Sequence, residues 1–226
     1  YKKSNHNMLT FSMAYFYSDN FLLPFSHDEV VHGKGTIINK MWGDYETKFA
    51  ILRNLYTYQF AHPGKKLNFM GNEFASFDEW NEAKGLPWGV KTYPKHDSMS
   101  RLVKDLNFIY QNSLAMYFEE HNPAHFHWLM VDNKDQSVFA FERKIGENCM
   151  VFVFNMTTNY YENIRIPMLT EGTYEEIFNS DIDVYSGWGQ YNGLPIKTGV
   201  GSFEGLPHHL DIKLACLGAC IFKKIK

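Results

Sequence analysis

The feature that most constrains this chain is a change of rhythm near residue 115. Before it, short apolar runs alternate with long helical stripes. "FLLPF", residues 21–25, has Pro24 near its end and reads as a buried strand running into a loop. In "DYETKFAILRNLYTYQFAHPG", Asp44 is placed as an N-cap and Glu46 falls in the first turn. Phe49, Leu52, Tyr56 and Phe60 form one helical stripe, and Ile51 with Leu55 adds a second. A helix apolar on two sides is packed on two sides. Pro63 and Gly64 stop it. "LNFM", residues 67–70, reads as a second strand that ends at Gly71, with Glu73 just beyond. After a long Trp-containing loop, "SRLVKDLNFIYQNS" reads as a helix with Leu102, Leu106 and Ile109 on one face. Residues 21–113 therefore predict two β/α units.

Beyond residue 115 the apolar runs shorten. "HFHWLMV", "SVFAFERK", "CMVFVFN", "YENIRIP", "TYEEIFNS" and "HLDIKLACLGACIFK" are candidate strands, separated by turn-forming "DNKDQ", "IGEN", "MTTN" and "TEG". Leu210, Ile212 and Leu214 alternate with Asp211 and Lys213, as a half-buried strand requires. Short strands at this spacing predict an antiparallel sandwich. The expected division is a β/α part over residues 1–115 and an all-β part over residues 116–226.

Composition closes off several classes. A net charge of −3 without single-sign blocks gives no basic surface for nucleic acid or an anionic membrane. No run is apolar enough to span a bilayer. Three cysteines without a CxxC pair imply no disulfide framework and fit a reducing cytoplasm; Cys216 and Cys220, four apart in one apparent strand, are expected to share a buried face. The start, "YKKSNHNMLT", is too polar for a signal peptide and does not begin with Met, which raises the expectation of a fragment. The 19 Phe, 14 Tyr and 5 Trp fit either core filling or stacking on sugar rings, and composition does not separate the two.

The densest polar cluster is "LLPFSHDEVVHGKG", with His27, Asp28, Glu29 and His32 directly behind an apolar run. A helical metal pair needs two histidines four apart. His27 and His32 are five apart, a mismatch of roughly 140° on a helix, and the odd spacing sends them to opposite faces of a strand. No metal site is expected. "HGKGT" also lacks the frame of a phosphate loop. In parallel β/α structures ligands sit beyond the carboxyl ends of the strands. His27, Asp28 and Glu29 follow the first strand, and Asn72 and Glu73 follow the second, so both rims present polar groups. Carboxylates, a histidine and nearby aromatics in one pocket fit glycoside hydrolysis or transfer. Trp42, Trp80 and Trp88 fall in strand-end loops, where packing and sugar stacking are both open.

"PFSHDEVVHGK", "NKMWGDYETKFAILRNLYTYQFAHPGKKLNFMGNEF" and "SRLVKDLN" make the chain similar to the bacterial-type 1,4-α-glucan (glycogen) branching enzymes of the α-amylase superfamily. That resemblance implies the last two units of a (β/α)₈ barrel followed by a C-terminal β-sandwich. It implies an α-1,4-glucan substrate, retaining transfer to a 6-hydroxyl, and no cofactor. By the match, Asp28 is the carboxylate that stabilises the transition state and His27 the hydrogen-bond donor beside it. Glu73, Asn72, Glu29 and Trp80 are expected to line the substrate. The family's nucleophilic Asp and acid/base Glu belong to earlier strands, so the chain is expected to need the missing N-terminal part of the barrel and to be inactive alone. A non-catalytic glucan-binding module and a hydrolase of the same superfamily are the competing expectations. Pro87 in "LPW" departs from the acidic residue usual there.

Overall fold

A computed structural model describes residues 2–226. Two short helical turns, α1 (Asn7–Thr10) and α2 (Ser12–Tyr15), precede β1 (Leu22–Phe25), α3 (Tyr45–Ala61), β2 (Lys65–Asn68), α4 (Pro94–Asn112) and α5 (Leu114–Tyr117). Strands β1 and β2 pair in parallel, with Leu22 opposite Lys65 and Phe25 opposite Asn68. The crossover between them carries α3, as a parallel pair requires. Asp44 caps α3 by accepting the Thr47 amide at 2.9 Å. Near the other end of α3, the Gln59 amide donates to the Leu23 carbonyl at 2.9 Å and the Leu67 carbonyl at 3.2 Å. One helix side chain thus ties both strands to the helix.

Three local expectations are corrected. The second strand runs two residues earlier than residues 67–70, because its register is set by pairing with β1 from Leu22. The first strand is not buried: Leu22 is 58% exposed. Among the described residues the sheet holds two strands, so no strand pairs with either outer flank. Helix α4 begins at Pro94, six residues before Ser100, because proline is preorganised for the first helical position.

The remaining strands are β3 (Phe126–Met130), β4 (Val138–Ile145), β5 (Asn148–Asn155), β6 (Tyr161–Met168), β7 (Thr173–Asn179), β8 (Ile196–Lys197), β9 (Gly199–Phe203), β10 (Leu206–Leu214) and β11 (Ala219–Lys224). They form an antiparallel six-stranded sheet ordered β3-β4-β5-β11-β7-β8 and a three-stranded sheet ordered β6-β10-β9. Val138, Ala140, Val151 and Val153 on one side of the large sheet pack with Ile164, Ile166, Leu210 and Ile212 of the small one. On the other side, Phe139, Phe141, Phe152 and Phe154 join Phe49, Tyr56, Leu102 and Leu106 of α3 and α4. Burial on both faces explains why "MVFVF" is apolar without alternation. The stretch read as one strand from His209 is two, broken at Ala215–Gly218. Cys216 lies in that turn, so it shares no strand face with the buried Cys220.

The largest apolar core therefore crosses residue 115, and a polar junction crosses with it. Arg143 of β4 donates to the carbonyls of Ala61 at 3.1 Å and Met116 at 2.9 Å. Its guanidinium lies 3.9 Å from the Glu120 carboxylate, and the two side chains are 2% and 1% exposed. Glu120 also meets Lys65 at 2.6 Å and Lys66 at 3.8 Å, and accepts from Tyr110 at 2.8 Å and the Gly64 amide at 3.0 Å. Gly64 has φ +109°, and a Cβ there would meet the Phe16 ring at 3.1 Å. Burial alone would raise the Glu120 carboxyl, but Lys65, Lys66, Tyr110 and Arg143 hold it below its ordinary value. A second buried pair, Arg53 to Asp181 at 3.5 Å, joins α3 to the loop after β7.

Removing one member of such a network strands the others. Glu120→Ala is expected to destabilise the protein by about 3–5 kcal/mol in denaturant unfolding. A loss near zero would mean that the junction is not held by this carboxylate.

Candidate functional site

The carboxyl ends of β1 and β2 lie side by side, joined by the Phe69 amide donating to the Phe25 carbonyl at 2.8 Å. Immediately after β1 the chain turns tightly over His27–Glu29. Ser26 caps this turn. Its hydroxyl oxygen accepts the Asp28 amide at 3.2 Å, and the Glu29 carboxylate accepts the Ser26 amide at 2.7 Å and hydroxyl at 2.8 Å. This reciprocal capping box occupies Glu29. Burial would raise the Glu29 carboxyl, yet the Ser26 hydrogen bonds carry it below its usual range. The turn leaves His27 and Asp28 outward, 56% and 70% exposed, with His27 Nε2 3.5 Å from Asp28 Oδ1. Behind them stands an aromatic wall: the His27 ring centroid is 6.0 Å from Phe69 and 6.5 Å from Trp80, which meet edge-on at 5.3 Å.

Beyond β2, Gly71 at φ +92° opens a second tight turn over Asn72–Phe74. Glu73 folds back to accept the Gly71 amide at 2.8 Å. Asn72 is buried; its carbonyl accepts the Tyr56 hydroxyl at 2.8 Å and its amide nitrogen lies 3.5 Å from the Phe25 carbonyl. Asn72 and Trp80 line a concavity of about 370 Å³ together with Asp78, Glu79, Lys84 and Pro87. His27, Asp28, Glu29 and Glu73 do not line it. Among the broad aromatics, Trp42 is half exposed beneath the Lys2 ammonium, 5.3 Å from its ring, and Trp88 is half exposed against Phe74.

Two further groups shape this rim, and the sequence reading missed both. In the loop "HGKG", His32, Gly33 and Gly35 all have positive φ, at 58°, 79° and 73°. Such backbone turns its amides toward one point and makes an anion nest. Glu79 fills it, accepting the Gly33 amide at 3.0 Å and the Gly35 amide at 2.5 Å. The glycine pair was the available signal for an anion, supplied here from within the chain. Lys40 is the second: its ammonium donates to the carbonyls of Glu29 at 2.6 Å, Lys34 at 2.8 Å and Gly35 at 3.3 Å. All three of its donors are used inside the loop. Among the described residues, no group of three or more His, Cys, Asp or Glu is close enough together to hold a metal ion.

The arrangement can grip hydroxyls. Asp28 accepts, His27 donates when its Nε2 carries a proton, and a flat aromatic surface lies behind them. Retaining glycosyl transfer needs two carboxylates about 5 Å apart across the scissile bond. Glu29, the nearest carboxylate in sequence, is committed to its cap.

Residues 128–225 match the family model "Alpha amylase, C-terminal all-beta domain". The chain is 41% identical over 228 residues to the 1,4-alpha-glucan branching enzyme GlgB of Geobacillus stearothermophilus, covering 100% of this chain and 36% of that protein. It is 42% identical to GlgB of Bacillus cereus strain G9842, covering 100% of this chain and 35% of that protein. GlgB 1 of Rhizobium etli is 48% identical over 194 residues, with 85% of this chain and 26% of that protein covered. The crystal structure of AmyP in complex with maltose superposes with a TM-score of 0.55 at 10% identity, over 80% of this chain and 36% of that one. A maltotriose complex of an AmyP variant gives the same TM-score at 11% identity, over 80% and 35%. These two likenesses concern the fold. The chain spans about a third of the length of the curated relatives it matches. Along its whole length it is similar to 1,4-α-glucan branching enzymes, and residues 128–225 carry an α-amylase-type C-terminal all-β domain.

The Glu79 nest makes a local prediction. Hydrogen bonds from Gly33 and Gly35 hold the Glu79 carboxyl below its ordinary value. Its hold on the loop is therefore complete above the ordinary carboxylate range and is lost as pH falls through the lowered value. Glu79→Ala is expected to speed amide hydrogen exchange at Gly33 and Gly35 while leaving β5 unchanged. Unaltered exchange at both glycines would remove Glu79 from this part.

Proposed function

We propose that the chain supplies one carboxylate and one histidine of the active site of a 1,4-α-glucan branching enzyme, together with the sandwich that braces them. The parent enzyme cleaves an α-1,4-glucan, holds the cleaved chain covalently and passes it to a 6-hydroxyl by a retaining double displacement. The observation that carries this reading is the SHDE turn at the end of β1. Its cap ties down Glu29 and turns His27 and Asp28 outward beside Phe69 and Trp80.

In this role Asp28 exchanges no proton. Retaining transfer passes through an oxocarbenium-like state, and hydrogen bonds to sugar hydroxyls that tighten there lower the barrier. Asp28 accepts such bonds, and His27 donates one to the same sugar. Trp80 and Asn72 line the concavity beside this turn and shape the floor beneath the glucan, while Glu73 holds the Gly71 turn that carries Asn72. The nucleophile and the acid/base belong to preceding β/α units, which would also cover the open flanks of β1 and β2. The exposed Leu22, Leu67 and Met70 fit such a covering. Residues 1–115 are the barrel portion in this reading and residues 116–226 the sandwich. The free cysteines fit a cytoplasmic setting, and no helix among the described residues is long and apolar enough to cross a membrane.

Two measurements test the proposal. The 226-residue protein alone is expected to leave the iodine spectrum of amylose unchanged; a shift in that spectrum would contradict the need for preceding units. In a polypeptide joining this chain to the preceding part of a GlgB relative, Asp28→Asn is expected to lower turnover by about 100-fold or more without changing the melting temperature. Near-normal turnover would exclude Asp28 from the site, and new reducing ends without α-1,6 linkages would make the parent a hydrolase.

A further inference from the structure

One end of the sandwich, remote in sequence from the SHDE turn, opens into a concavity of about 830 Å³. This lies within the size range of small-molecule sites. His127 of β3 and Glu142 of β4 are cross-strand partners in its floor. Lys144, two residues further along β4, shares their face. Lys197 of β8, Lys224 of β11 and Lys226 stand around the mouth.

Two observations mark this as more than a charged surface. Glu142 is fully buried, and its Oε1 has no hydrogen-bond partner within the protein; the Nδ1 of His127 is likewise buried and unpartnered. Buried polar atoms are nearly always paired, and an unpaired carboxylate oxygen is costly to bury. The other Glu142 oxygen is taken, accepting the Cys149 thiol at 3.3 Å. Burial and the neighbouring Glu142 charge push that thiol up to about 12, so it remains a donor at neutral pH. The second observation is the state of the lysines. Lys144 donates only to the Thr170 hydroxyl at 3.3 Å, and none of the four lysines has a carboxylate within ion-pair distance among the described residues. Four unneutralised ammonium groups stand against two glutamates, Glu142 and Glu171.

The two halves ask for different chemistry in one ligand. Flexible lysines suit a phosphate better than they suit planar bidentate recognition. An ionised carboxylate accepts only, so Glu142 requires a donor, and the surrounding lysines disfavour an amine. A hydroxyl remains. Glu142 and Lys144 are about 7 Å apart along the strand, a separation that a hexose ring can bridge. We propose that this end of the sandwich binds a small phosphorylated polyol, with its phosphate among the lysines and its hydroxyls on Glu142 and His127 once these side chains turn toward the mouth. The site is independent of the rim at β1 and β2 and of any reaction there.

Calorimetric titration of the 226-residue protein with glucose 6-phosphate, inorganic phosphate and glucose tests it. Glucose 6-phosphate is expected to bind saturably and at least about tenfold more tightly than either phosphate or glucose. The Lys197→Ala, Lys224→Ala double variant should lose about tenfold or more for glucose 6-phosphate. Glu142→Gln should bring glucose 6-phosphate down to the level of phosphate while leaving phosphate unchanged. Circular dichroism establishes that each variant is folded, and should Glu142→Gln not fold, the lysine variant still decides. Absence of saturable glucose 6-phosphate binding overturns the proposal. So does glucose binding as tightly, which would make the site neutral-sugar specific, or phosphate binding as tightly, which would leave only a lysine rim. Unchanged binding in the lysine variant overturns it as well.

Discussion

The Glu120 carboxylate, buried against Arg143 and Lys66, is the constraint on which the rest of the molecule depends. It lies where three things meet: the end of α3 and start of β2, the connection after α5, and strand β4 of the large sheet. A buried charge group of this kind is a weak source of net stability, because desolvation offsets most of the attraction. It is a strong source of geometry, since each member is left unpaired in any other arrangement. Arg143 reaches the carbonyls of Ala61 and Met116, and so fixes the end of α3 relative to β4. Gln59 near that same helix end then fixes β1 and β2. The position of the SHDE turn follows from this chain of contacts.

Much of the fold was legible in the sequence. The α3 segment announced itself through Asp44, its two apolar stripes and the Pro63–Gly64 stop. Strands β3 to β7 were visible as short apolar runs between turn residues. What was not legible depended on partners far away in sequence. The register of β2 is set by β1, not by its own apolar residues. The turn at Ala215–Gly218 hides inside a continuous apolar stretch because both flanking strands are buried. Strands β8 and β9 are short and polar or glycine-rich, with no period to read. The junction was invisible for the same reason: Glu120 and Arg143 are 23 residues apart and carry no local signal.

The rim was legible in part. Position after a strand end identified His27 and Asp28 as outward groups, and both are exposed there. Spacing alone made Glu29 their equal, whereas the capping box separates it from them. Distinguishing the three requires knowing that Ser26 stands at an N-cap with Glu29 three residues on, a pattern that can be read from sequence. Glu79 could not be found by proximity along the chain, since it fills the nest at Gly33 and Gly35 from 44 residues beyond Gly35. Lys40 is only five residues from Gly35, but nothing in its spacing shows that it gathers three carbonyls. Together they fix the loop after the SHDE turn beside His27 and Asp28.

The central claim is that His27 and Asp28 take hold of one sugar of an α-glucan. A crystal structure of this chain joined to the preceding part of a GlgB relative, with a maltooligosaccharide bound, tests it most directly. The account predicts one glucose ring with hydroxyls within about 2.6–3.2 Å of both the Asp28 carboxylate and the His27 imidazole. A glucan bound in the barrel cleft with Asp28 turned to solvent would contradict it.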